Sequence, residues 1–118
     1  MTHRRKSLNK TDPQVIAEAE RFIEYNVRYE YETYLKERQW SGNSGLKEPS
    51  ITLGVVAGYV RRHLSESAPY LPNNTSFTKW AYSVARAALS RLVRSGKLRT
   101  SLGVGLNGQE ARCYEPGV

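Results

Sequence analysis

The side chains in this sequence that could act on another molecule are chiefly cations and hydrogen-bond donors, and their spacing groups them. If Trp80, Val84, Ala88 and Leu92 form the inward stripe of a helix, then Thr78, Lys79, Tyr82, Ser83, Arg86, Ser90 and Arg94 lie on its outer face. That face carries donors and positive charge and no carboxylate. In a major groove Arg can read guanine, and Ser, Thr or Tyr can meet a phosphate or a base edge, so these residues are candidates for binding double-stranded DNA. Residues early in such a helix usually reach the bases, which selects Lys79, Tyr82, Ser83 and Arg86, with Arg86 the leading one. Lys97, Arg99 and Arg112 flank a glycine-rich stretch, Gly103, Gly105 and Asn107-Gly108, whose tip can approach a phosphate chain. They are candidates for holding rather than reading. Arg4, Arg5 and Lys6 belong to a polar, basic tail over residues 1–11, which reads either as a solvated, flexible terminus or as an arm along the DNA.

Other chemistries find little support. The single cysteine, Cys113, cannot close an intramolecular disulfide, and with the two distant histidines, His3 and His63, it makes no metal-ligand cluster. Cys113 reads as a small buried residue in preference to a redox sensor. Glu18, Glu20, Glu24, Glu30, Glu32 and Glu37 gather in one segment as a solvated flank, not as a paired acid and base. There is no phosphate loop and no nucleophile motif, so the expectation is a protein that is not an enzyme and needs no cofactor, metal or small-molecule ligand.

Charge narrows the partner. The chain carries a net +7 with a pI near 9.8, which favours polyanions. The charge is polarised: +4 over residues 1–11, −3 over 12–40, +1 over 41–76 and +5 over 77–118. Only parts of the molecule should touch phosphate. No apolar run is long enough to span a membrane and residues 1–20 lack the apolar centre of a signal peptide, so an intracellular, cytoplasmic protein is expected.

The elements that must position these residues follow from periodicity. At 118 residues one domain with an added arm or helix is expected. Thr11-Asp12-Pro13-Gln14 starts a helix, capped by Asp12 with Pro13 in the first turn or by Thr11 with Gln14 three on. Ile16, Ala19, Ile23, Val27, Tyr31 and Tyr34, joined by Val15, Phe22 and Leu35, carry it over 12–40. That length exceeds what the domain needs to cover its core. The surplus suggests a dimer along this helix, with Tyr25 and Tyr29 as interface residues; the alternative is a kink near 26–31 that folds the helix back. Residues 41–50 read as a loop. Ser50 then caps a second helix over 51–66, where Gly54 and Gly58 would permit close helix packing. A connection over 67–74 leads to a third helix, capped by Thr75 or Ser76 and ended by Gly96. Its stripe takes Phe77 and Trp80 into the core. A hairpin of 97–102 and 109–115 closes the chain.

The run Ala88-Leu89-Ser90-Arg91-Leu92-Val93-Arg94-Ser95-Gly96-Lys97-Leu98 resembles the end of a winged-helix recognition helix entering its first wing strand. Arg112 and Tyr114 match the basic and aromatic residues of the returning strand. The resemblance covers residues 50–116 and departs from the family in the long connection at 67–74. It implies a mainly α fold with a small β-hairpin, a winged helix-turn-helix, used as a sequence-specific and dimeric transcriptional regulator on double-stranded DNA. Two other uses remain open: a winged-helix protein-interaction module, and a sequence-tolerant DNA-binding protein in replication or a nucleoprotein assembly. A purely solvated basic face is the plainest alternative.

Overall fold

The computed structural model describes residues 12–41, 48–68, 73–104 and 108–117. The basic tail with Arg4, Arg5 and Lys6, the proposed Thr11 cap, most of the loop at 41–50, Pro69 to Pro72 and the turn at 105–107 lie outside the described residues. Helix α1 (Pro13–Ser41) is followed by α2 (Leu53–His63), a 3-10 turn (Ser65–Ser67), α3 (Asn74–Arg94) and two antiparallel strands, β1 (Leu98–Val104) and β2 (Glu110–Pro116). The protein is mainly helical with one two-stranded hairpin.

Asp12 starts α1, its Oδ1 accepting from Gln14 N at 2.9 Å and its carbonyl from Ile16 N at 3.0 Å. The helix then runs unbroken for 29 residues, about 44 Å at the usual rise, with no break near 26–31. Asn26 keeps its side chain within the helix by donating to Phe22 O at 2.8 Å, so it does not interrupt the backbone ladder. Ala19, Ile23 and Val27 are fully buried against the other elements, with Val15, Ile16, Phe22 and Tyr31 packed beside them. Beyond Tyr31 the helix overhangs: Leu35, expected on the inward stripe, is exposed because no described element lies beneath that turn.

Both later caps are displaced from where the sequence suggests them. Thr52, not Ser50, caps α2, accepting from Val55 N; Ser50 Oγ instead donates to Val104 O at 2.6 Å. Ile51 explains the shift. Its side chain is buried and its carbonyl accepts from Tyr114 N at 2.9 Å, which holds residues 50–52 extended along β2 and delays the helix. α2 is also shorter than 51–66, ending at His63 with Leu64 as C-cap. Gly54 lies close to α3, since a Cβ there would meet Tyr82 Oη at 3.4 Å, whereas Gly58 faces open space and does not serve helix packing. Asn73, not Thr75 or Ser76, caps α3, its Oδ1 accepting from Ser76 N at 2.9 Å.

The core is one cluster to which both the helices and the hairpin contribute: Ile23 and Val27 from α1, Val56 and Val60 from α2, Leu89 and Leu92 from α3, and Leu98 from β1. On α3 the buried side follows the expected stripe from Trp80 to Leu92. The helix stops at Gly96, whose φ of +81° is open to glycine and strained for other residues. Gly96 N donates to Val93 O and Lys97 N to Leu92 O, the paired bonds of a Schellman ending. This turn delivers the chain directly into β1, and so fixes how the hairpin stands beside α3.

Candidate nucleic-acid interface

The outer face of α3 carries Lys79, Arg86, Ser90 and Arg94, all exposed, with Ser83 half-buried among them. Thr78 and Tyr82 sit on the flank of the helix instead, both half-buried, with the Tyr82 hydroxyl beside Gly54 of α2. Arg86 lies over the Tyr82 ring, 5.8 Å from its centroid, so an aromatic plate supports the guanidinium from below. Arg94 Nη2 donates to Ser90 Oγ at 3.0 Å, which draws Arg94 back along the helix toward Arg86.

Register decides which hairpin residues join them. Thr100 pairs with Tyr114 and Leu102 with Arg112 on one face of the hairpin, while Arg99 pairs with Glu115 and Ser101 with Cys113 on the other. The first of these faces turns toward α3. Between them runs a groove of about 770 Å³, with Arg86, Arg94 and Arg112 among its lining and Leu89, Val93 and Tyr114 as its apolar surface. Among the described residues, the ion pairs to carboxylates engage Arg28, Arg91 and Arg99, and none engages Arg86, Arg94 or Arg112. A guanidinium stays charged at any physiological pH and offers a planar fork of donors matched to phosphate oxygens. Three such groups around a concave, partly apolar channel can hold a chain of phosphates while sugars and base edges lie against the apolar surface.

The other two wing candidates stand elsewhere. Arg99 is on the far face of the hairpin and its charge is engaged by Glu115 across the strands. Lys97 lies with Arg91, Arg94 and Glu20 on the α1 side of α3. There the buried Glu20 Oε2 forms an ion pair with Arg91 Nε without the alignment of a directed hydrogen bond. Lys97 also anchors the chain through its carbonyl, which accepts from Gly117 N at 2.9 Å and Arg28 Nη2 at 3.2 Å.

The far face of the hairpin covers Cys113, which is 3% exposed, and Tyr31, whose hydroxyl donates to Pro49 O at 3.3 Å. Burial pushes the Tyr31 phenol up to about 12, with the carboxylates of Glu115 and Glu48 adding to the shift. The Tyr59 phenol is pushed up to about 12 as well, by burial first and Glu30 second.

Two basic residues outside the candidates drawn from the sequence lie beside the start of α3. Arg61 and Arg62 end α2, Arg61 lying 5.4 Å from the Phe77 centroid and Arg62 6.0 Å from that of Tyr59. Their signal in the sequence is two adjacent arginines in the last turn of a helix, where they also complement its dipole. Thr100 and Tyr114 are the other additions, brought into the groove by strand pairing.

Compared with known proteins, the chain matches no family model, no curated protein and no solved structure. Among the described residues no helix is long and apolar enough to cross a membrane.

Proposed function

We propose that residues 50–116 form a winged helix-turn-helix that binds double-stranded DNA sequence-specifically, and that the protein acts as a dimeric transcriptional regulator. The observation that carries the proposal is the groove between α3 and the hairpin, where Arg86, Arg94 and Arg112 converge without a carboxylate partner among the described residues. The element order supports the winged reading, as does the bond from Tyr114 N to Ile51 O, which sets the segment before α2 beside β2 in the place of a third strand. In this reading α3 enters the major groove and Arg86 and Lys79 reach base edges. Arg112 and Arg94 grip the adjacent backbone, and α1 joins two copies so that their sites match a dyad.

Selection of bound duplexes from a random pool tests the proposal. The expected result is an enriched site with dyad symmetry, bound far more tightly than random duplex in moderate salt. Arg86→Ala should relax discrimination at one base pair per half-site, a loss of about 1–3 kcal/mol. Duplex binding without enrichment would replace the regulator by a sequence-tolerant binder, and no duplex binding would leave a protein-interaction module.

A further inference from the structure

The outward side of α1 carries a pattern that is symmetric about Val27. Glu18, Tyr25, Tyr29 and Lys36 follow at intervals of seven, four and seven residues. At 3.6 residues per turn this keeps them on one strip within about 40° of arc. The strip lies opposite the buried Ala19, Ile23 and Val27. At its centre Tyr25 is 66% and Tyr29 55% exposed, and their rings stack at 6.2 Å as one aromatic plate. Read from either end, the order is charge, tyrosine, tyrosine, charge, with the sign inverted. Arg21 and Glu32, flanking the same strip, repeat the inversion about nearly the same centre.

Such a strip is complementary to itself in one orientation only. In an antiparallel pair with the two-fold at Val27, Glu18 of one copy meets Lys36 of the other, Arg21 meets Glu32, and the Tyr25 of each copy meets the Tyr29 of its mate. A parallel pair would set the central Glu18 and Lys36 each against itself, two like-charge contacts, and would carry the flanking Arg21 and Glu32 to opposite sides of the seam, away from any mate of opposite charge. Among the described residues no ion pair engages any of these four side chains within the chain, so all remain available to a second copy.

We infer that the occupant of this face is a second copy of the chain, docked antiparallel along α1 with Val27 level with the two-fold. This refines the dimer of the proposed function and rests on that part of it. It does not depend on DNA binding, because mass is measured without DNA. The grooves of the two copies are then related by the same axis.

Sedimentation of the full chain tests the register through charge reversal. The wild type should sediment at twice 13.4 kDa. Glu18→Lys and Lys36→Glu should each weaken self-association on the order of tenfold or more, because each replaces two attractions by two repulsions. Mixing the two variants should restore a dimer, since one mate then presents lysine at both positions and the other glutamate, and both contacts become attractive again. Circular dichroism checks that both variants remain folded. A wild-type monomer would overturn the interface, leaving the DNA-binding groove as a single-copy site. A dimer insensitive to both reversals, or variants that do not complement each other on mixing, would overturn the antiparallel register.

Discussion

Arg112 and Arg99 both belong to the hairpin, yet its register sets them on opposite faces, and replacing each by Ala should separate their roles in solution. Arg112 borders the groove without an acidic partner among the described residues, whereas Arg99 is on the opposite face beside Glu115. Two groove cations per copy are assigned to the phosphate backbone, Arg94 and Arg112. Each phosphate neutralised contributes about −0.9 to the slope of log affinity against log salt, so the two give about −1.8. A rise from roughly 50 to 200 mM salt would then weaken binding about 12-fold. Arg112→Ala should reduce the slope to about −0.9 and the loss to about 3.5-fold, while Arg99→Ala leaves both unchanged. Cations elsewhere add equally to every variant, so the difference between slopes carries the test. Fluorescence anisotropy of a labelled duplex across a series of salt concentrations reads it. Equal changes in slope for the two variants, or a larger one for Arg99→Ala, would refute the assignment of the groove as the phosphate path.

Other consequences concern the frame that holds the groove. A Cβ on Gly103 would stand 2.8 Å from Cys113 Sγ, so Gly103→Ala should destabilise the protein by about 1–3 kcal/mol in urea melts, and much less in a Cys113→Ala background. Asn73→Ala should cost about 1 kcal/mol of stability through the lost cap of α3, and Thr75→Ala should cost much less. The phenols of Tyr31 and Tyr59 are raised to about 12 from an ordinary 10.0, so above pH 10 the unfolded chain gives up protons that the folded one keeps. Their contribution to stability is complete below pH 10 and is lost as pH rises toward 12. Denaturation across that range, followed with the phenolate absorbance, should show Tyr31 and Tyr59 ionising late in the folded protein.

The third helix is the most legible element. Its apolar pairs recur without interruption from Phe77 to Val93, and Gly96 stands where only a left-handed residue ends the helix neatly. The caps are less so, for a physical reason. Asn73, Thr75 and Ser76 can all accept from a helix N-terminus, and which one does depends on where the preceding chain enters. Ser50 yields its role to Thr52 because Ile51 is pinned to the core and to Tyr114, a contact between residues far apart in sequence. Strand alternation by itself puts Arg99 and Thr100 on opposite faces. Which face carries Arg112, and that Glu115 engages Arg99, follows only from the register of the returning strand. The groove itself is not legible: Arg86 and Arg112 meet because a Schellman turn sets the angle between α3 and β1.

The central claim is that duplex DNA is held between α3 and the groove face of the hairpin, and mapping amide chemical shifts during a duplex titration tests it most directly. The account predicts shifts concentrated at Arg86, Ser90, Arg94, Thr100, Arg112 and Tyr114, with the outward strip of α1 around Tyr25 and Tyr29 unmoved. Shifts centred on that strip, with the groove silent, would contradict it.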